Sequence, residues 1–284
     1  MKPAPFAYHR PATLEETFEL LDRYGGDGRI LAGGQTLVPA LNMRLATPRA
    51  VIDINRLPGL DEVDIGPAGL MIGALARLDA LERSPLVARQ APLIAQALPH
   101  VAHLAIRTRG TFGGSLALGD PAAELPACAL ALAATMRATS RRGSREIRAA
   151  EFFRGIYTTA LQPGEVLTTV VVPPLAAGWR SGFDELARRH GDYALVAVAA
   201  HVRVAEGTVA EARLAFAGVG PTPVRATSAE RALAGSRIDE RLLGEVARLV
   251  AEDLDPPSDV HASAALRRHL AGVLTRRVVS RLLG

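Results

Sequence analysis

Two glycine pairs stand out as residues whose spacing could do chemistry: Ala32-Gly33-Gly34-Gln35-Thr36 and Thr111-Phe112-Gly113-Gly114-Ser115. Consecutive glycines let backbone N–H groups converge on one point, because glycine reaches positive φ without penalty. Such concavities bind anions. The short apolar run Arg29–Ala32 leads into the first segment, which carries a hydroxyl after its glycines at Thr36; the second has hydroxyls on both sides, at Thr111 and Ser115, and after each a helix is expected to follow and add its positive N-terminal end. Two such turns suit a ligand with two adjacent phosphates. Taken singly, each pair also reads as an ordinary tight turn.

The common nucleotide motifs are missing. Lys2 is the only lysine, so no P-loop lysine is available, and no G-x-G-x-x-G opens a helix. There is also no G-x-S-x-G and no H-E-x-x-H, and no nucleophile–base pair stands out. His100 and His103 could share a helical face as metal ligands, but no third ligand is evident and Pro99 disturbs the helix. Surface or capping roles suit them better. Asp120 could contact a ribose, or cap a helix expected to start at Pro121. Glu165 reads as a loop carboxylate, or as a nucleotide contact.

Bulk composition narrows the class. The 284 residues, 49% hydrophobic and 22% charged, suit two globular domains. Cys128 is the single cysteine, so the chain cannot ligate an iron–sulfur cluster, which takes about four sulfur ligands. The net charge of +4 comes from arginines spread along the chain, with only 4% aromatic residues, and this argues against nucleic-acid binding. No apolar run reaches the roughly 20 residues of a membrane helix. The opening Met1–Phe6 lacks a basic segment followed by an apolar core, so a cytoplasmic location is expected.

The elements that must position the glycine pairs can be sketched from periodicity. Thr13-Leu14-Glu15-Glu16 is a capping box, and Leu14, Phe18 and Leu21 follow at helical spacing. Thr36 is expected to cap a helix from Leu37 to about Leu45. Strands are expected at Ala50–Asn55, Leu70–Gly73, Thr135–Ser140, Arg145–Arg148 and Val166–Val172. Leu78–Val101 reads as helical, broken at Pro85, Pro92 and Pro99. Leu125–Met136 is a short apolar run that suits a buried helix. After Pro173-Pro174 the texture changes. Ala194–Val204 and Thr208–Ala217 read as a hairpin turning at Glu206-Gly207. Two amphipathic helices follow, one with Ile238, Leu242, Val246 and Leu249 on one side. The other turns Leu266, Leu270, Val273, Leu274 and Val278 inward and Arg267, Arg268, Arg276 and Arg277 outward.

Several strings resemble the FAD-binding medium subunit of molybdenum hydroxylases, of the carbon monoxide dehydrogenase and xanthine dehydrogenase type. They are Ala32–Pro39 continuing through Arg44-Leu45-Ala46 to Ile52–Arg56, Arg109–Ser115 with Asp120–Pro126, Glu151-Phe152-Phe153, Leu161–Glu165, Arg188–Ala194 and Arg267–Ala271. The resemblance covers nearly the whole chain and implies an α+β fold. A two-lobed PCMH-type FAD-binding domain would occupy 1–176, with lobes at about 1–56 and 57–176. A smaller C-terminal α/β domain, a sheet with packed helices, would occupy 177–284. It implies FAD lying extended between the lobes. Ala32, Gly33, Gly34, Gln35 and Thr36 would bind the pyrophosphate together with Thr111, Gly113, Gly114 and Ser115. Asp120 and Glu165 would lie near the adenosine or ribitol part, and Tyr193 would stack on the isoalloxazine. By pattern alone Tyr193 is a core tyrosine at the start of a strand. This chain departs from the family at Thr36, Phe112 and Asp184, where serine, isoleucine and lysine are usual. The lysine is thought to tune the flavin and its acceptor, so Asp184 bears on NAD reduction.

The resemblance further implies a division of labour. A large subunit carries the molybdenum cofactor and hydroxylates the substrate, a small subunit carries two 2Fe-2S clusters, and this chain relays electrons to an external acceptor. It implies no catalytic acid or base and no metal site here, and a dimer of heterotrimers. The assembly would be cytoplasmic, either free or peripheral at the inner face of the membrane. A self-contained flavin-dependent oxidoreductase is the alternative. It would need acid/base residues on a substrate-binding cap, which Trp179–Gly284 does not display.

Overall fold

The computed structural model describes residues 2–283. The first lobe is a three-stranded parallel sheet in the order Ala7–His9, Ala50–Asp53, Gly28–Leu31. Ala50–Asp53 is buried on both faces, as a central parallel strand must be. The helix Leu14–Tyr24 packs Phe18 and Leu21 against Ile52 and Ile54. It starts as the capping box predicts, with Thr13 Oγ1 accepting from Glu16 N at 3.1 Å and Glu16 Oε2 accepting from Ala12 N at 2.7 Å.

The second lobe is a five-stranded antiparallel sheet in the order Val63–Gly66, Gly69–Gly73, Val166–Val172, Thr135–Ser140, Gly143–Arg148. The predicted helical stretch from Leu78 resolves into three short helices, Leu78–Glu82, Pro85–Gln90 and Pro92–Ala97. Two of them begin at the prolines, because the first helical position needs no N–H. The helix Glu124–Ala131 has all eight residues buried. It starts three residues beyond the expected Pro121, because Asp120 Oδ1 accepts from Ala122 N at 2.9 Å and so stabilises a separate turn.

The C-terminal part is an antiparallel sheet ordered Trp179–Ala187, Ala194–Ala205, Thr208–Ala217, Val224–Arg225. Its alternation explains the whole arrangement. Ala197, Ala199, Ala215 and Ala217 face the second lobe, where small side chains let the helix Glu124–Ala131 approach closely. Val196, Val198, Leu214 and Phe216 face the helices Thr227–Leu233, Glu240–Asp253 and Ala264–Leu283. The sheet is thus covered on both sides.

The last helix corrects one expectation. Leu266 and Val273 are exposed, and Arg267, expected outward, is buried. Arg267 Nη1 donates to Gly218 O at 3.0 Å and to Leu195 O, and Nη2 donates to Asp259 Oδ2 at 2.7 Å. A guanidinium with five donors can satisfy two strand-end carbonyls and a carboxylate at once, which the helical period cannot reveal.

Candidate functional site

The first glycine segment leaves the strand Gly28–Leu31 and enters the helix Leu37–Asn42. Gly34 has φ +73°, the left-handed conformation expected of such a turn. Gly33 is glycine for a different reason: a Cβ there would lie 2.5 Å from Arg109 O and 2.8 Å from Gly110 Cα. The two glycine segments therefore touch, backbone to backbone. Gln35 folds back, its Nε2 donating to Gly33 O at 2.9 Å. Thr36 makes no side-chain capping bond. Among the described residues, the backbone N–H groups of Gly33, Gly34, Gln35 and Thr36 donate to no protein acceptor, and all four residues line one cleft. Four unpaired donors in a row are what an anion needs.

The second segment differs from the expected plan. Thr111 caps the helix Phe112–Leu118, its Oγ1 accepting from Gly114 N at 3.2 Å, so Gly113 and Gly114 lie inside the helix's first turn. Phe112 N and Gly113 N donate to Ala76 O and Ala74 O, both at 2.9 Å. Those N–H groups are spent on holding the helix against the segment Ala74–Ala76. Gly113 is glycine because a Cβ would sit 2.4 Å from Ala74 Cβ. The second segment thus contributes a closely seated helix end and the Ser115 hydroxyl, while the free donors belong to the first.

Two residues to which the sequence assigned no site role hold the segments in register. Asn55 Nδ2 donates to Ala32 O at 2.8 Å and to Asp53 Oδ1 at 2.7 Å. Arg77 Nη2 donates to Asn55 Oδ1 at 2.6 Å, and its Nη1 donates to Arg109 O. This chain of bonds runs from the first segment to the entry of the second, bridging the lobes. Their spacing in sequence carries no local signal, because the contact is tertiary.

The segments open onto a cleft of about 720 Å³ whose wall includes all twelve predicted positions: Ala32, Gly33, Gly34, Gln35, Thr36, Thr111, Gly113, Gly114, Ser115, Asp120, Glu165 and Tyr193. Its wall also carries acidic and aromatic groups. Tyr193 is 57% exposed, a cleft-mouth residue rather than a core tyrosine. Burial of its hydroxyl end, reinforced by Asp120, pushes the phenol up to about 12. Asp120 is buried, with Oδ2 accepting from Tyr157 Oη at 3.4 Å. Glu165 reaches the wall with its carboxylate already engaged: Arg145 Nε donates at 2.6 Å, Arg145 Nη2 at 2.9 Å and Gln162 N at 2.7 Å. The Arg145 bonds hold its carboxyl below the usual range. Glu165 therefore shapes the loop that closes the wall. Glu124, to which the sequence assigned no site role, also lines the cleft and is 4% exposed. Burial pushes it up to about 7.

Among the described residues, no group of three or more His, Cys, Asp or Glu side chains is placed to hold a metal, and no helix is long and apolar enough to cross a membrane. The cleft suits a ligand with an anionic part. The free N–H row faces phosphate chemistry, the hydroxyls of Thr36 and Ser115 flank it, and apolar side chains such as Ile54, Leu75 and Leu167 supply the rest of the wall.

Comparison with known proteins agrees with this chemistry. The family model described as "FAD binding domain in molybdopterin dehydrogenase" matches residues 4–175, and "CO dehydrogenase flavoprotein C-terminal domain" matches 181–282. The chain is 38% identical over 284 residues to the 6-hydroxypseudooxynicotine dehydrogenase complex subunit alpha of Paenarthrobacter nicotinovorans, covering 100% of this chain and 96% of that one. It is similar to a carbon monoxide dehydrogenase from Hydrogenophaga pseudoflava lacking the Mo-pyranopterin moiety, with TM-score 0.96, 35% identity, and coverage of 99% and 98%. It is also similar to quinoline 2-oxidoreductase from Pseudomonas putida 86, with TM-score 0.94, 40% identity, and coverage of 100% and 98%.

Proposed function

Since this chain belongs to the family of FAD-binding domains of molybdopterin dehydrogenases, we propose that it binds FAD in the cleft between its lobes. It then passes electrons from a partner's iron–sulfur clusters to an external acceptor. The observation that carries this reading is the row of four unpaired backbone donors from Gly33 to Thr36. A pyrophosphate seated there would complete them, with Thr36 and Ser115 beside it. The flavin ring would extend toward Tyr193, whose exposed face is free to stack on it, and Asp120 would lie near the ribitol.

A bound flavin supplies the ability to take electrons singly and give them in pairs. The chain's own residues do the positioning. Arg77 and Asn55 fix the spacing of the two glycine segments. Arg145 and Glu165 hold the closing loop, and the apolar wall excludes water. The lone cysteine agrees with clusters carried elsewhere. The partners we propose are a large subunit with the molybdenum cofactor and a small 2Fe-2S subunit, assembled as a dimer of heterotrimers in the cytoplasm. The division we propose is 1–176, with lobes at about 1–56 and 57–176, and 177–284.

Purification tests this directly. The isolated chain should show a yellow flavin spectrum or take up added FAD, and should co-purify with a molybdenum subunit and an iron–sulfur subunit when expressed together. A colourless chain that binds no FAD overturns the reading. Enzyme-like turnover by the chain alone would favour a self-contained flavin oxidoreductase.

A further inference from the structure

Among the described residues, the non-glycine positions with positive φ are Arg44, Ala102, Ala133, Tyr157 and Glu206. Tyr157 is the aromatic one, at φ +52°. It sits in the connection Ile156-Tyr157 of the small hairpin formed by Phe153–Gly155 and Thr158–Thr159. Glycine or asparagine is the ordinary occupant of a positive-φ turn position, because a bulky side chain crowds the backbone there. Strain of this kind gathers at ligand clamps.

Packing within the chain does not offset that strain. Tyr157 is 61% exposed, so its ring buries little apolar area. Its N–H donates to Gly119 O at 3.3 Å, a bond any residue but proline could make. Its hydroxyl donates to Asp120 Oδ2 at 3.4 Å, which is long for an O–H···O bond. The base of the hairpin, by contrast, is firmly seated. Ala160 N donates to Phe152 O at 2.7 Å, and Gly119, at φ +65° where the helix Phe112–Leu118 ends, leaves only 3.1 Å between an added Cβ and Thr159 Cγ2. A fixed base thus presents an exposed ring, and that ring lines the same cleft as Tyr193 and the glycine segments. Burial, then the charge of Asp120, raises the phenol, so the hydroxyl keeps its proton toward Asp120.

We infer that Tyr157 is a cofactor-binding residue, a second aromatic side chain that packs against the flavin ring beside Tyr193. This rests on FAD occupying the cleft with its ribitol near Asp120. The ribityl chain joins directly to the isoalloxazine, so a phenol bonded to Asp120 meets the flavin and not the adenine at the other end of the molecule. A flat, exposed ring offers such a partner an offset or edge contact. Exposure and backbone strain at Tyr157 then have one cause: the ring is turned toward the cleft instead of the chain's own core.

Two variants of the full chain test it. Asparagine tolerates the left-handed backbone, so Tyr157→Asn should leave the urea midpoint of the FAD-free chain unchanged or raised. The same variant should bind FAD about tenfold more weakly, the loss of one aromatic contact, and the visible absorption bands of its bound flavin should shift. Tyr157→Phe keeps the ring and should stay close to the native chain in affinity and bands. Native affinity in Tyr157→Asn, or weaker binding that tracks a lower urea midpoint, would make Tyr157 a turn residue only and overturn the inference. Weaker binding with unshifted bands would place the ring against the adenine half, and would overturn it as well. A native chain that takes up no FAD overturns the inference together with the function it rests on.

Discussion

Gly33 has no room for even a methyl group, because the atoms it would meet are backbone. Gly33→Ala should therefore force the glycine segments apart, with an overpacking cost of about 1–3 kcal/mol and a marked fall in bound FAD. Gly34→Ala meets only the side-chain ends of Leu31 and Val38, at 3.0 and 3.1 Å, and should cost about 1–2 kcal/mol for the left-handed backbone alone. Urea midpoints and flavin content of the two purified variants distinguish them. Full FAD content in Gly33→Ala would show that the close approach is dispensable. Tyr193→Ala should shift the flavin's absorption or potential with a smaller loss of binding, whereas Tyr193→Phe should not. An unchanged spectrum and potential in both would remove the stacking role. The glycine pairs were legible because glycine is conspicuous, yet conformational freedom explains only Gly34. At Gly33 and Gly113 the constraint is a neighbour far along the chain, which no local pattern displays. Asn55 and Arg77 were missed for the same reason, and Glu124 because an acidic first turn is ordinary for a helix.

The helix Ala264–Leu283 and the sheet it covers are joined by one buried cation. Arg267→Met should cost about 2–3 kcal/mol, because two strand-end carbonyls and Asp259 lose a charged donor. Urea unfolding followed by circular dichroism checks this, and a change below measurement error would mean that water replaces the guanidinium at no cost. The sheet also carries a pH response. His201 is 6% exposed, stacks on Trp179 at 4.1 Å and lies 2.9 Å from Ser181 Oγ. Burial, then the charge of Arg213, lowers it to about 4. The folded chain thus holds His201 neutral while the unfolded chain binds a proton near 6.5. The stabilising difference is present above that value and fades as pH falls toward 4. About 2 kcal/mol should be lost between pH 7 and 5, and His201→Gln should flatten that part of the profile. An identical pH profile in the variant would place the response elsewhere. The hairpin 194–217 was legible from its two long runs and the Glu206-Gly207 turn. The short strands Ala7–His9 and Val224–Arg225 were not, because two or three residues are too few to show a period. Arg267 was misplaced because helical periodicity ranks arginine as solvent-facing whatever its tertiary partners.

At the scale of the molecule, the C-terminal sheet is held between its own helices and those of the second lobe, with Ala197, Ala199, Ala215 and Ala217 turned to one side and Val196, Val198, Leu214 and Phe216 to the other. The change of texture after Pro173-Pro174 was visible in sequence. That one face of the later sheet would be built for the earlier lobe was not, since alternation shows two faces without naming what covers them. FAD should stabilise the chain by about 4 kcal/mol when free ligand exceeds its dissociation constant a thousandfold. Thermal unfolding with and without added FAD measures this, and coincident curves would rule out a specific complex. The contact of Gly33 with Arg109–Thr111 has one more consequence. The two halves of the cradle are packed on each other through the chain's own backbone rather than across a ligand, so the cradle should form before capture. Loading should then be a simple encounter, its rate rising linearly with FAD concentration and showing no plateau from a slow closing step. Stopped-flow quenching of flavin fluorescence would reveal it, and cofactor insertion could come last in maturation, after the polypeptide is complete.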